Sequence, residues 1–243
     1  MNITEIIDRL RQLTQVTVQH NWLGTSEEID INDIRFDNLQ SITANEKGYL
    51  TWEAGSQVKW LVQKIVIPEQ LNGYPLEKLS LRLSLVWWAE IAQIFVNGKL
   101  VQEGDLFDCL ARVLLTSSAQ IGQEFLVCLR LVSPSHDIGA LMKSQLIYES
   151  DYNAIDPGFI ADELAVLFNY LSTFYPENLE FLEETVNNLN WNYVDLADKF
   201  NEELIQLRKQ LQPFSYLIKQ RKFNIVGHAH FCLLYTSPSP RDQ

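Results

Sequence analysis

The segment Leu79-Ser80-Leu81-Arg82-Leu83-Ser84-Leu85 alternates apolar and polar residues with a period of two. In an extended chain that spacing puts the four leucines on one side and the polar residues on the other, so the segment reads as a strand with one buried face. A second constraint lies at Ile94-Phe95-Val96-Asn97-Gly98-Lys99-Leu100-Val101. Asn97-Gly98 between apolar runs supplies the two positive-φ residues of a tight hairpin. Further strands are predicted at Val58–Val62 and Lys64–Ile67 before Pro68, at Arg112–Leu115, and at Phe125–Leu131, where Phe125, Val127, Leu129 and Leu131 share a face. Several short strands separated by turn signals predict an antiparallel β-sandwich of jelly-roll type over residues 21–150.

The flanks follow a helical period instead. Ile3, Ile6, Ile7, Leu10 and Leu13 form one stripe, predicting a helix from Ile3 to about Val16 within a segment 1–20 that covers the body of the protein. Residues 151–222 read as an α-helical connector. Asp156-Pro157 has the residue types of a helix start, because Asp accepts hydrogen bonds from free amides and Pro lacks a donor that the first turn does not need. Phe159, Ile160, Leu164, Leu167, Phe168 and Leu171 then give a wide apolar face. A second helix is expected after Pro176, with Leu179, Leu182, Val186 and Leu189 inward, and a third from about Val194 to Leu211, closed by Pro213.

Of the 243 residues 47% are hydrophobic, enough for one or two domains with a proper core. The net charge of −12 argues against a nucleic-acid partner, since no stretch supplies a concentrated basic face. The amino terminus lacks the basic start and long apolar run of a secretory signal, and no stretch reaches the ~20 apolar residues of a membrane span. The expected location is the cytoplasm, with no membrane partner. Cys109 and Cys128 sit in apolar stretches and read as buried thiols in a reducing compartment.

After the helices, Phe223–Val226 reads as a short apolar strand, followed by Gly227-His228-Ala229-His230. Two histidines two apart at a strand end point to one side, where they can share a metal or line a polar pocket. Asn224-Ile225-Val226-Gly227-His228-Ala229-His230 resembles the opening of the catalytic domain in family 38 glycoside hydrolases, the α-mannosidases, whose motif runs Gly-His-x-His-x-Asp. Cytosolic and bacterial members carry an amino-terminal β-sandwich, often with a phrase similar to Ile94–Gly98, and a helical linker before that strand. The resemblance implies that residues 223–231 are the first strand of a truncated β/α barrel and that His230 is a zinc ligand. It also implies a retaining, zinc-dependent hydrolase acting on mannose-containing oligosaccharides, with an Asp nucleophile and a second carboxyl as acid and base.

The Asp of that motif belongs at position 232, where this chain has Cys232. From Cys232 to Asp242 the sequence matches the in-frame translation of a transposase end and adapter used in sequencing libraries, so residues 232–243 read as an artefact. On this reading the chain is an inactive fragment, because the catalytic domain is missing, so neither catalytic carboxyl can be assigned and the zinc site has one ligand, His230. Glu183-Glu184 and Glu202-Glu203 are expected on solvated helix faces. Trp52, Trp60, Trp87 and Trp88 could stack on sugars, but packing is the expected role. His136-Asp137 is expected to be a local pair and not a catalytic dyad. The rival reading is a non-catalytic β-sandwich module that binds carbohydrate or protein. Homo-oligomerisation is left open by the sequence.

Overall fold

The computed structural model describes residues 1–31, 33–151 and 154–220. The expected barrel strand Phe223–Val226, the His228 and His230 pair and the Cys232 tail lie outside the described residues. Thirteen strands run through the described part: β1 (Gln15–Thr17), β2 (Leu23–Thr25), β3 (Gln40–Ser41), β4 (Leu50–Trp52), β5 (Val58–Val66), β6 (Gln70–Leu71) and β7 (Tyr74–Pro75), then β8 (Ser80–Trp88), β9 (Ile91–Val96), β10 (Lys99–Gly104), β11 (Leu110–Thr116), β12 (Glu124–Val132) and β13 (Gly139–Glu149). The helices are α1 (Ile3–Gln12), α2 (Pro157–Phe174), α3 (Leu179–Asn187), α4 (Ala197–Leu211) and α5 (Pro213–Lys219).

All pairings between the described strands are antiparallel. One sheet runs β1-β13-β8-β11, with β4 also on β13; the other runs β10-β9-β12-β5-β2-β3. The alternation expected for β8 is present: Leu81, Leu83, Leu85 and Trp87 are buried, while Ser80, Arg82, Ser84, Val86 and Trp88 are half-exposed. Phe125, Val127, Leu129 and Leu131 of β12 are buried in the same core. The β-sandwich is therefore present, and the two runs flanking Gln63 are one continuous strand, β5.

The first helix is shorter than its apolar stripe predicts. Asn2 and Glu5 form a reciprocal capping box, the Asn2 Oδ1 accepting from the Glu5 amide at 2.9 Å and Glu5 Oε2 from the Asn2 amide at 3.0 Å. The helix stops at Gln12, and Gln15–Thr17 joins the first sheet beside β13. β-branched Val16 and Thr17 suit a pleated edge better than a last helical turn. Pro213 likewise begins α5, as the first helical residue, where it is expected to end a helix.

α1 packs on α2 and α3, so the first and last elements share one helical layer. Its Ile6 and Leu10 are fully buried, as are Leu171 of α2, Leu182 and Val186 of α3, and Phe200 and Leu204 of α4. The apolar core runs on from the sandwich into this layer. At the junction Tyr74 of β7 stacks edge-on against Phe200, and its hydroxyl bonds Asn201 Oδ1 at 3.0 Å. Burial pushes the Tyr74 phenol up to about 12, so it stays a neutral donor there.

Candidate functional site

The outer face of the first sheet carries the polar half of the β8 alternation. Register sets its neighbours: Ser84 lies between Arg112 of β11 and Gln145 of β13, and Val86 lies opposite Lys143. Antiparallel neighbours are about 4.8 Å apart, so the long side chains of Arg112 and Gln145 flank the small Ser84. Beyond Glu149 the chain leaves the sheet and returns as α2, whose first turn rises beside this face. Between them lies a cleft of about 1070 Å³. Arg112, Lys143, Gln145 and Glu149 contribute to its floor, and Arg11, Phe159, Asp162 and Arg208 to its walls.

Glu149, Asp156 and Asp162 are held in place. Glu149, a quarter exposed, accepts from Arg82 Nε at 3.0 Å and also pairs with Arg112. Asp162 Oδ1 accepts from Arg11 Nε at 3.2 Å and Nη2 at 3.0 Å. Asp156 caps α2: its Oδ1 accepts from the Phe159 amide at 2.9 Å and its Oδ2 from the Ser150 amide at 3.0 Å. Burial raises the Asp156 carboxyl above the usual carboxylate range, and the bonds from the Ser150, Phe159 and Gly158 amides oppose that rise. On the wall, Arg208 Nη2 bonds Glu163 at 2.6 Å while its guanidinium carbon sits 5.3 Å from the centre of the Phe159 ring. Gln145 Nε2 donates to Gln15 Oε1 at 3.1 Å across the strand pair. Carboxylates committed to arginines and helix-start amides are suited to fixing a surface; acid–base work needs a group within reach of a substrate proton.

Other residues singled out by sequence have structural partners. Trp87 is buried and its indole donates to the Asp105 carbonyl at 3.1 Å; Trp60 is buried, donates to Glu28 at 3.0 Å and stacks on Phe95. Trp52 donates to the Gln57 carbonyl at 3.1 Å, and Trp88 to Asp137 Oδ2 at 3.1 Å. Each of the four indoles thus has a hydrogen-bond partner in the sandwich, with Trp60 and Trp87 buried in it and Trp52 and Trp88 half-exposed. Asp137 serves Trp88 and the Ile138 amide, and no bond to His136 is formed. Glu183, Glu184 and Glu202 are exposed. Cys128 is buried, and desolvation pushes its thiol up to about 12, away from nucleophile or ligand chemistry. Among the described residues no group of three or more His, Cys, Asp or Glu could hold a metal ion. No helix among them is long and apolar enough to cross a membrane.

The cleft itself was missed by sequence reasoning. Its one local signal is the polar series Ser80, Arg82, Ser84 on β8, which shows that this face is wet but not what stands over it.

No family model and no curated protein matches the chain. Solved structures do resemble part of it. Bacteroides uniformis β-glucuronidase 2, covalently bound to cyclophellitol-6-carboxylate aziridine, matches with TM-score 0.43 and 17% identity over 56% of this chain and 18% of its own. A glycosyl hydrolase family 2 member from Bacteroides cellulosilyticus matches with TM-score 0.44 and 14% identity over 56% of this chain and 21% of its own. Ruminococcus gnavus β-glucuronidase matches with TM-score 0.39 and 10% identity over 58% and 29%. The chain spans less than a third of the length of these glycoside hydrolases. Overlap at this level carries nothing about chemistry.

The family 38 assignment is corrected by these comparisons. The similar structures are β-glucuronidases and a family 2 glycosyl hydrolase, and no family model supports an α-mannosidase. The zinc-dependent mannosidase reading falls with it. The physical reason is that the resemblance rested on a short motif outside the described residues and on an order of sandwich and helices that many proteins share.

Proposed function

We propose that the chain is a non-catalytic binding module whose β-sandwich holds carbohydrate in the cleft between its outer sheet face and α2. The observation that carries this reading is the cleft's composition: guanidinium, ammonium and amide groups of Arg112, Lys143 and Gln145 on a rigid strand floor, with the half-exposed Phe159 ring at the wall. Sugars present hydroxyls to such polar groups and C–H faces to aromatic rings. Strand-borne side chains are pre-ordered, so little conformational entropy is lost on binding. Glu149, Asp156 and Asp162 act as supports, since their oxygens are already engaged by Arg82 and Arg112, by backbone amides and by Arg11.

The test is calorimetric titration of the full chain with a panel of neutral and acidic oligosaccharides, mannose-containing ones included. Saturable binding is expected, together with no release of sugar from aryl glycosides. Ser84→Trp places an indole between Arg112 and Gln145, and is expected to abolish binding with the melting temperature preserved. Binding that survives Ser84→Trp unchanged would remove the cleft from the reading.

A further inference from the structure

Resting on that reading of the cleft, we infer that its ligand is an acidic saccharide whose carboxylate sits between Arg112 and Lys143.

The charges of the cleft are not evenly used. On the walls, Arg11 is paired with Asp162 and Arg208 with Glu163, and the Asp156 carboxyl is engaged by the Ser150 and Phe159 amides. On the floor, Glu149 is the one carboxylate, held by Arg112 and, from beside the cleft lining, by Arg82. Lys143 is exposed and forms no ion pair among the described residues. Asp151, the remaining acid of the cleft, lies past the end of β13, beyond Ser150. The floor is therefore locally cationic in a chain whose net charge is −12. A positive spot inside an acidic protein favours anions that reach it.

Geometry narrows the anion. Arg112 and Gln145 stand one strand to each side of Ser84, and Lys143 stands one pleat along from Gln145, opposite Val86. The Arg112 side chain is 54% exposed, so it keeps donors free beyond its pair with Glu149. A planar carboxylate accepts from a guanidinium fork on one side and from an ammonium on the other. Gln15 and Gln145, bonded to each other, present the amide groups that sugar hydroxyls would meet next to it. A carboxylate attached directly to a pyranose ring satisfies both demands at once.

The experiment compares oligogalacturonate and oligomannuronate, each beside its carboxyl-reduced neutral form, as ligands of the full chain at low and at physiological salt. A charge-assisted contact predicts that at least one acidic oligomer binds about tenfold or more tightly than its reduced form, with the advantage shrinking as salt rises. Lys143→Gln is expected to erase most of that advantage, weakening the acidic form about tenfold or more and the neutral form far less, whereas equal weakening of both would overturn the inference. Equal affinities for the acidic and reduced forms would overturn the inference and leave the module reading standing. So would equal binding of oligoglutamate, which carries the charge without the ring. Failure of every saccharide, neutral or acidic, to bind would overturn the module reading itself.

Discussion

Ser144 joins two polar side chains that the core would otherwise strand. Its Oγ accepts from the Trp22 indole at 2.8 Å and donates to Gln19 Oε1 at 2.9 Å, and Gln19 Nε2 donates to the Leu141 carbonyl at 2.7 Å. All three side chains are buried. Ser144→Ala leaves the indole N–H and the amide oxygen unpaired, and each such group costs about 1–3 kcal/mol. A loss of about 3 kcal/mol is expected in urea unfolding, seen as a lower midpoint at unchanged slope; a midpoint within error of the parent would show that the chain of bonds is dispensable. Asp156 gives a second test, through pH. Its folded pKa is raised by burial, so between the unfolded value of about 3.9 and the raised one the native state binds the extra proton. Stability contributed by this group is therefore highest below the unfolded value and falls as pH rises through the window. Asp156→Asn keeps an oxygen for the Phe159 amide and cannot titrate, so the difference in unfolding free energy between parent and variant is expected to change with pH across that window. A constant difference would mean that the carboxyl does not feel its burial.

At the scale of the element, the β9–β10 hairpin is more than a turn. Asn97 and Gly98 take φ of 50° and 78°, as a two-residue loop between right-twisted strands requires. Asn97 also reaches the next strand: its amide donates to the Leu126 carbonyl at 2.8 Å and its Oδ1 accepts from the Leu126 amide at 2.9 Å. Asn97→Ala loses that bond and keeps a positive φ that alanine resists, so a cost of about 2 kcal/mol is expected. Gly98→Ala carries the conformational part alone, about 1 kcal/mol. Equal costs in chemical denaturation would deny the link to Leu126. This hairpin and the β8 alternation were legible in sequence because their causes are local: a φ preference at two residues and a period of two. What pairs with β8 was not, since β11 and β13 reach it from later in the chain. β1 was read as helix because Leu13 and Val16 continue the spacing of Ile6 and Leu10, and only the free edge of β13 decides otherwise. The cleft was illegible for the same reason: Arg11, Arg112, Lys143 and Arg208 have no common sequence pattern, and only the return of α2 over the sheet gathers them.

In the whole molecule, the amino-terminal helix closes against helices more than 140 residues away, and two kinds of contact could hold it there. The polar kind is Arg11 with Asp162, whose side chains are 36% and 65% exposed, together with Arg9 stacked 3.8 Å from the Trp191 ring centre. The apolar kind is Ile3, Ile6, Ile7 and Leu10, at most 4% exposed, set among the cores of α2 and α3. An exposed ion pair is worth about 0–1 kcal/mol because water screens it and ordering two long side chains opposes it. Truncating one fully buried isoleucine removes transfer free energy and leaves a cavity, for about 2–5 kcal/mol. Closure is therefore an apolar effect, and the ion pair sets the angle of α1 more than its affinity. Asp162→Asn is expected to shift the unfolding free energy by less than about 1 kcal/mol, and Ile6→Ala by at least about 2 kcal/mol. The two variants also separate order from stability. Hydrogen exchange should show α1 amides opening faster in Ile6→Ala, with β8 and β12 protected as before, since these strands sit between other strands. If the strands loosened together with α1, the helical layer and the sandwich would be one cooperative unit, and the apolar continuity between them, through Tyr74 and Phe200, would be the reason.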